Sequence, residues 1–356
     1  MHIGILGPSQ SGKTTIFKAL SAFTSAQAGR KNEPSRAVVK VPDPRVDALS
    51  AMFNPKKTTY ATIEYMDTLH PGGSDPYPYT YLQNFRSSDA LAIVLPMFSY
   101  EKQDTETQLN NAMELYQELD QAFILNDLLQ VEKKLESDKK ALRKKNDAQT
   151  KANIELMERL LPHLEAEKPL RDFEFTPDEE KQVRGFTFMS QKPQVLILNI
   201  AEDLIPESQA IKDKWQQEQN TPAHQVLVVP GTVEADLVEL PEDEAELFLE
   251  EYGLTEAALP AFMRSCYATL RLISFFTVGE DEVRAWTIPK DITARKAAGA
   301  IHSDLERGFI RAEVISDQEL LELGSLKAGK DTGKLRLEGK EYIVQDGDIM
   351  HIRFNV

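Results

Sequence analysis

The clearest chemical signature lies near the start of the chain, in the run Gly7-Pro8-Ser9-Gln10-Ser11-Gly12-Lys13-Thr14. Its spacing fits G-x-x-x-x-G-K-[ST], a pattern in which backbone amides turn inward around phosphate oxygens. Lys13 would reach the β- and γ-phosphates of a nucleotide, and the Thr14 hydroxyl would bind Mg²⁺. A plain glycine turn would leave Lys13 without a role. We therefore predict a nucleotide phosphate site formed by Gly7, Ser9, Gln10, Ser11, Gly12, Lys13, Thr14 and Thr15.

A strand and a helix are expected on the two sides of this loop. Residues 2–6 form a short apolar run, and residues 15–20 have the apolar spacing of a helix. Further apolar or alternating runs predict strands at 61–66, 91–95, 195–198 and 226–229. We therefore expect an α/β fold whose core is a doubly wound, mostly parallel sheet.

The stretch between the second and third of those later runs has a different composition. Residues 109–168 contain no glycine, and Pro162 is their only proline. Apolar residues at steps of three and four predict two amphipathic helices, which would be either ordinary bundle helices or an antiparallel helical arm with its turn near residues 145–147. We favour the arm, because an insertion of about 60 residues between two core strands has little room inside the sheet.

The C-terminal part of the chain predicts a separate small domain. Strands are expected at 282–288, 309–314 and 348–354, with a short helix around 294–302, which together suit a β-grasp module. The expected organisation is a nucleotide-binding domain in two parts, 1–107 and 186–273. The arm at 108–185 would interrupt it, and the β-grasp domain at 274–356 would follow.

Composition excludes several classes of protein. Cys266 is the only cysteine, so there is no internal disulfide framework, and the chain suits a reducing cytoplasm. No apolar run approaches the ~20 residues of a membrane span, and residues 2–6 suit a buried strand better than a signal peptide. With 41 basic and 57 acidic residues, the net charge of −16 disfavours nucleic-acid binding by overall charge.

Several motifs along the chain carry a family resemblance. They are Val41-Pro42-Asp43-Pro44-Arg45, the segments 61–67, 199–202 and 233–237, and the C-terminal segments 283–289, 308–314 and 338–344. With these motifs the chain resembles the YchF family of Obg-like ATPases, part of the Obg group of P-loop GTPases, over nearly its whole length. The C-terminal block is similar to that family's TGS domain.

The resemblance implies a nucleotide-dependent switch linked to ribosomes or translation. The family's N-x-x-E motif replaces the guanine-reading N-K-x-D and implies a preference for ATP over GTP, with Asn199 and Glu202 at the base. Glu202 could instead be a solvated residue of an acidic loop. Asp67, at a strand end beside the phosphate loop, matches the aspartate that holds Mg²⁺, although a strand-capping role is the alternative.

Four departures from the family pattern concern hydrolysis. His70 stands where a hinge glycine belongs, and a proline-rich segment at 71–79 replaces a longer glycine-rich one. Lys31 aligns with a Mg²⁺-binding threonine, and the family's catalytic histidine is missing, because no histidine lies between His70 and His163. Gln10 replaces a potassium-coordinating asparagine, which makes K⁺ a doubtful cofactor. We expect nucleotide binding with weak or lost hydrolysis, and His70 is a weak catalytic candidate.

Two rival interpretations stay open. In the first, the chain is a fully active ATPase or GTPase, in which His70 and Gln10 replace the missing groups. In the second, it is a non-enzymatic scaffold or adaptor.

A basic run at the expected arm tip suggests a partner. Residues 132–151, from Lys133 to Lys151, carry eight basic and four acidic side chains. Such a run is commonly a solvated helical face, and it contains no aromatic residue for base stacking. With the resemblance, it suggests contact with a ribosome or RNA through the arm and the TGS domain, and no contact with a membrane.

Overall fold

The computed structural model describes residues 1–22, 34–68, 76–99, 103–144, 147–219 and 225–355. These residues form twelve strands: β1 (His2–Leu6), β2 (Ser35–Lys40), β3 (Lys57–Thr59), β4 (Thr62–Asp67), β5 (Ala90–Met97), β6 (Gln194–Ile200), β7 (Gln225–Val229), β8 (Leu272–Thr277), β9 (Glu282–Pro289), β10 (Phe309–Ser316), β11 (Arg336–Glu338) and β12 (Asp348–Phe354).

The same residues form fourteen α-helices: α1 (Lys13–Ala22), α2 (Pro44–Phe53), α3 (Tyr79–Gln83), α4 (Thr105–Lys144), α5 (Ala148–Glu165), α6 (Pro177–Val183), α7 (Ser208–Gln219), α8 (Gly231–Leu237), α9 (Glu242–Glu251), α10 (Ala258–Thr269), α11 (Ala294–Ile301), α12 (Ser303–Arg307), α13 (Asp317–Leu323) and α14 (Leu326–Asp331). The chain divides into two compact units. One consists of Met1–Val38 and Glu64–Leu259, and the other of Val39–Ile63 and Pro260–Val356.

The first unit contains a six-stranded sheet in the order β2-β4-β1-β5-β6-β7. Strand β1 pairs in parallel with β4 and β5, β5 with β6, and β6 with β7, as the apolar runs predicted. Every residue of β6 is buried, which explains why that strand is a continuous apolar run and not an alternating one. The carboxyl ends of these parallel strands lie at one edge of the sheet, where α/β proteins place their ligands.

Helices α4 and α5 form the predicted antiparallel arm. Lys139 Nζ lies 2.7 Å from Glu158 Oε1 near one end, while Ile124 and Leu164 share a cavity lining near the other. Val131 and Met157 are fully buried in the shared core. The predicted turn at residues 145 and 146 lies outside the described residues, and the next residue, Asp147, caps α5 by accepting a bond from Thr150 N at 2.9 Å.

A buried carboxylate fastens the base of the arm to the segment that leads into β6. Asp127 of α4 is fully buried and accepts bonds from Met189 N at 2.9 Å and from Ser190 N and Ser190 Oγ, both at 2.7 Å. Burial raises the pKa of Asp127, and the donated hydrogen bonds oppose that shift. Nearby, Arg171 forms a bidentate pair with Asp120 at 2.7 and 2.6 Å.

The second unit contains a mixed sheet in the order β11-β10-β12-β8-β9-β3. Its hydrophobic core includes Phe275, Ile288 and Val314 together with the alanines on the buried face of α11. Strand β3 pairs in parallel with β9, with Lys57 opposite Glu282. In the same unit Arg45, at the start of α2, lies 2.8 Å from Asp346 and covers the Phe276 ring at 5.0 Å.

The compact units differ from the domains predicted from sequence. Residues 39–63 were assigned to the first part of the nucleotide-binding domain, but they belong to the second unit, because β3 joins its sheet and Arg45 pairs within it. That unit resumes at Pro260, upstream of the predicted border at 274. The borders predicted at 108 and 186 stay predictions.

Across the described ranges, no helix has the length and hydropathy needed to cross a bilayer. The Cys266 thiol is free and buried.

Candidate functional site

The loop between β1 and α1 has a backbone that few side chains tolerate. Gly7 has a φ of +149° and Gly12 a φ of +92°. A Cβ at Gly7 would collide with the Val94 carbonyl oxygen, and one at Gly12 would collide with the Asn199 side chain. Gln10, between them, also adopts a positive φ, +62°. The two glycines are therefore required by this loop conformation.

Lys13 holds the loop through hydrogen bonds to two of the loop's own carbonyl groups. As the first residue of α1 it is 6% exposed, and its Nζ donates to Gly7 O at 3.0 Å and Pro8 O at 2.5 Å. Burial lowers the pKa of Lys13 to about 8, and the negative charge of Asp67 opposes that shift. The first-turn amides of α1 add positive potential at the same place. The loop thus combines an ammonium group and free backbone donors suited to an anion.

Thr14 and Asp67 lie together beside the loop. Thr14 Oγ1 donates to Asp67 Oδ2 at 3.2 Å, and Asp67 is the last residue of β4. Its other oxygen, Oδ1, is buried and has no hydrogen-bond partner among the described residues. Burial raises the pKa of Asp67, while the Thr14 hydroxyl and the Lys13 charge lower it. Hard oxygen donors with an unused lone pair fit a Mg²⁺ ion that keeps most of its waters.

Asn199 links two loops. From the end of β6 its Nδ2 donates to Ser11 O at 2.9 Å, and its Oδ1 accepts from Gly231 N at 3.0 Å. The residue is 5% exposed. Both ends of the amide are thus used to hold the phosphate-loop segment beside the start of α8. This bridging position had not been predicted, and the predicted contact of Asn199 with a base stays a prediction.

Glu202 is exposed close to Asn199. Its Oε2 accepts a bond from Tyr252 OH at 3.2 Å, and its Oε1 lies 3.5 Å from Thr232 Oγ1. It lines a cavity of about 730 Å³ within the first unit, a size typical of small-molecule sites. The other lining residues are Gln10, Ser11, Gly12, Lys13, Thr14, Thr15, Phe98, Asn199, Ile200, Ala201, Asp203 and Thr232.

The cavity therefore brings most of the predicted site together. Gly7 and Ser9 lie in the same loop but do not line the cavity, and Asp67 reaches it through Thr14. His70 and Lys31 lie outside the described residues, as does the glycine-containing segment 71–75. Among the residues that are described, no group of three or more His, Cys, Asp or Glu could hold a metal ion.

Sequence reasoning missed Phe98. It follows β5 directly and lines the cavity. The parallel register of β5 and β6 places Pro96 opposite Asn199, so the end of β5 had to lie beside the predicted base site. An aromatic residue at that strand end was a usable signal, because parallel strands deliver their carboxyl ends to the same edge.

Comparisons with known proteins agree with the fold. The family model described as "YchF-GTPase_C: Protein of unknown function (DUF933)" matches residues 272–355. The chain is 36% identical to "Ribosome-binding ATPase YchF" of Bacillus subtilis (strain 168) over 368 residues, covering 99% of both chains. It is 35% identical to the protein of the same name from Escherichia coli O157:H7 over 363 residues, again covering 99% of both.

A solved structure matches over the same span. "Structure of the Schizosaccharomyces pombe YchF GTPase" superimposes with a TM-score of 0.83 at 27% identity, covering 99% of this chain and 97% of that one. Four observations agree: sequence identity above one third along the whole length, the predicted motifs, the loop geometry and this structural match. The chain therefore belongs to the YchF family.

Proposed function

We propose that this protein binds a purine nucleoside triphosphate with Mg²⁺ in the cavity lined by the phosphate loop. The arrangement that carries the proposal is Lys13 inside a loop whose two glycines have positive φ, with Thr14 and Asp67 at its side. Thr14 and Asp67 would hold the metal, which would neutralise charge between the phosphates. Lys13 and the amides of α1 would hold the phosphate oxygens.

We propose that the site prefers adenine, and therefore ATP over GTP. Glu202 lies at the cavity wall with its carboxylate anchored by Tyr252, and its position at the end of N-x-x-E is the basis for adenine. Phe98 supplies an aromatic face in the same cavity. Phe98 and Glu202 line the same cavity and would contact the face and the amino edge of a purine, while the choice of adenine rests on the N-x-x-E match.

Hydrolysis is proposed to be weak or absent, and K⁺ has no firm role. The reasons are the residues at 31 and 70 and the missing histidine, together with Gln10 in place of an asparagine. We also propose that the protein works in the cytoplasm as a ribosome- or RNA-associated switch. Support comes from relatives named "Ribosome-binding ATPase YchF" and from cations near the arm tip that have no ion pair among the described residues, including Arg143, Lys144 and Lys151.

Calorimetric titration with MgATP and MgGTP tests the binding proposal. We expect ATP to bind at least tenfold more tightly, a difference of about 1.4 kcal/mol. Lys13→Ala should weaken ATP binding about 100-fold, because a charge-assisted contact is lost. Lys18→Ala, which removes an exposed lysine of the same helix, is the matched control and should bind like the parent.

Two results would contradict the proposal. Unchanged ATP affinity in Lys13→Ala would remove the phosphate site. A tenfold preference for GTP would remove the adenine assignment to Asn199 and Glu202.

A further inference from the structure

The base half of α4 exposes an apolar stripe that nothing in the described chain covers. Leu125 is 56% exposed and Leu129, one turn later, is 53% exposed. Ala122 and Leu128 are half-buried beside them. On a helix these positions share one side, because residues three and four apart are neighbours. Soluble proteins seldom leave a contiguous apolar side on a long helix without a partner.

The stripe borders a groove that closes against the end of α5. The groove has a volume of about 340 Å³ and is lined by Leu125 and Leu128 of α4 and by Glu165 and Glu167 at the end of α5. The fully buried Leu164 and the nearly buried Ile124 line its floor. We call the stripe and this cavity together the arm groove. It is preformed within the first unit and is separate from the nucleotide cavity.

The rim of the arm groove is acidic. Glu165 and Glu167, which line it, are exposed, and neither has an ion pair among the described residues. The carbonyl end of α5 adds negative potential at the same place. Glu165 and Glu167 are the charged residues that line the groove among the described residues, so its lining carries net negative charge.

We propose that the arm groove is a docking site for a basic amphipathic helix of a partner protein. An apolar groove with a charged rim accepts a helix that presents leucine-type anchors at i, i+3 or i+4, and i+7. The unpaired carboxylates would pair with lysine or arginine on the flanks of that helix.

The charge distribution disfavours the two other occupants of such a face. RNA would bring phosphates against the Glu165 and Glu167 carboxylates and the carbonyl end of α5. A second copy of this chain, packed through the same face in a two-fold dimer, would bring those carboxylates against their own copies.

Fluorescence anisotropy with the full chain tests the proposal. The probe is a labelled 18-residue peptide, with leucines at helical spacing on one side and lysines on the flanks, and the comparison peptide carries glutamates in place of the lysines. We expect saturable binding of the basic peptide and none of the acidic one. Leu125→Gln combined with Leu129→Gln should weaken binding about 30-fold, as for a central anchor.

Two further variants distinguish docking in the arm groove from nonspecific hydrophobic binding. Leu247→Gln removes a 67% exposed leucine of α9 and is the matched control, with binding expected to be unchanged. Glu165→Lys combined with Glu167→Lys should lower the affinity of the basic peptide and create affinity for the acidic one. Circular dichroism and ATP titration of each variant check that the fold and the nucleotide cavity are intact.

The proposal is overturned by any of three results. The first is no binding of the basic peptide. The second is equal affinity of the leucine variants and the parent. The third is a concentration-dependent dimer in sedimentation velocity that disappears in the leucine variant, because that would identify a second copy as the occupant.

Discussion

Burial and the charge of Asp67 shift the pKa of the Lys13 ammonium group in opposite directions. Burial lowers the pKa of Lys13 to about 8, against 10.5 for an ordinary lysine. A triphosphate adds negative charge beside Nζ and favours the protonated form, so binding is accompanied by proton uptake when the pH exceeds about 8.

We predict that ATP affinity falls about tenfold between pH 7 and pH 9, because only about a tenth of the Lys13 side chains stay protonated in the free protein at pH 9. Stability without nucleotide changes in the opposite direction. Between about pH 8 and 10.5 the unfolded chain binds more protons, so the free energy of unfolding rises with pH. Calorimetry across this range measures the affinity, with Lys13→Ala as the pH-independent control. A constant affinity from pH 7 to 9 would refute the assignment.

Asn199 stabilises the fold, because its amide bridges the phosphate-loop segment and the start of α8. We predict that Asn199→Ala lowers the free energy of unfolding by about 2 kcal/mol, because Ser11 O and Gly231 N lose their buried partner. ATP affinity should fall as well. Urea denaturation measures the stability and calorimetry the affinity.

Asn199→Asp separates the two bonds of that bridge. A carboxylate still accepts from Gly231 N, but it cannot donate to Ser11 O and places a buried charge against that oxygen, so the stability should fall at least as far as in the alanine variant. Wild-type stability in Asn199→Ala would show that the bridge is dispensable.

At the level of elements, the arm carries its charge unevenly. Three of its lysines are neutralised by nearby carboxylates: Lys134 by Asp138, Lys139 by Glu158 and Lys140 by Glu136. Lys133, Arg143, Lys144 and Lys151 have no ion pair among the residues that the structure describes. The cations available to a polyanion are therefore concentrated near the tip.

We predict that Arg143→Glu, Lys144→Glu and Lys151→Glu together reduce cosedimentation with ribosomes at least tenfold at 0.1 M salt, because phosphate contacts are lost. The control replaces Lys144 and Lys151 with arginine, which keeps the charge, and should sediment like the parent. Binding of the parent should also weaken steeply with salt. Ribosome binding that ignores both salt and the charge reversals would exclude the arm tip as the contact.

At the level of the whole molecule, binding and hydrolysis are expected to separate. The groups proposed to hold phosphate and Mg²⁺ lie around Lys13, Thr14 and Asp67. The residues expected to act on the γ-phosphate depart from the family pattern at Lys31 and His70. Positioning groups of this kind can be worth ~10³–10⁵ in rate.

We predict tight MgATP binding with turnover well below ~1 s⁻¹, the low end for typical enzymes. Lys31→Thr and His70→Gly together should raise the rate more than either change alone, because both act on one γ-phosphate. Phosphate release measured with K⁺ and Mg²⁺ decides this, and calorimetry on the same samples shows that nucleotide is bound. Turnover of the parent at ~1 s⁻¹ or faster would end the weak-hydrolysis hypothesis and make His70 the first residue to replace.

Local patterns in the sequence predicted many of the elements, but not β2, β3, β8 or β11. The apolar runs predicted β1, β4, β5, β6 and β7, and the glycine-free stretch predicted the two helices of the arm. The spacing at residues 7–14 predicted a glycine-dependent loop leading into α1. These features depend on residues close in sequence, so periodicity and steric limits on the backbone are enough to find them.

The tertiary structure decided what those elements meet. Residues 39–63 belong to the second unit because β3 pairs with β9, more than 200 residues later in the chain. Asn199 bridges Ser11 and Gly231, and Phe98 enters the cavity, because parallel strands bring distant segments to one edge. Such contacts depend on strand order and register, which no local pattern contains. Sequence thus determined β1 and β4–β7, the two helices of the arm and the loop, and long-range packing decided which side chains share the cavity.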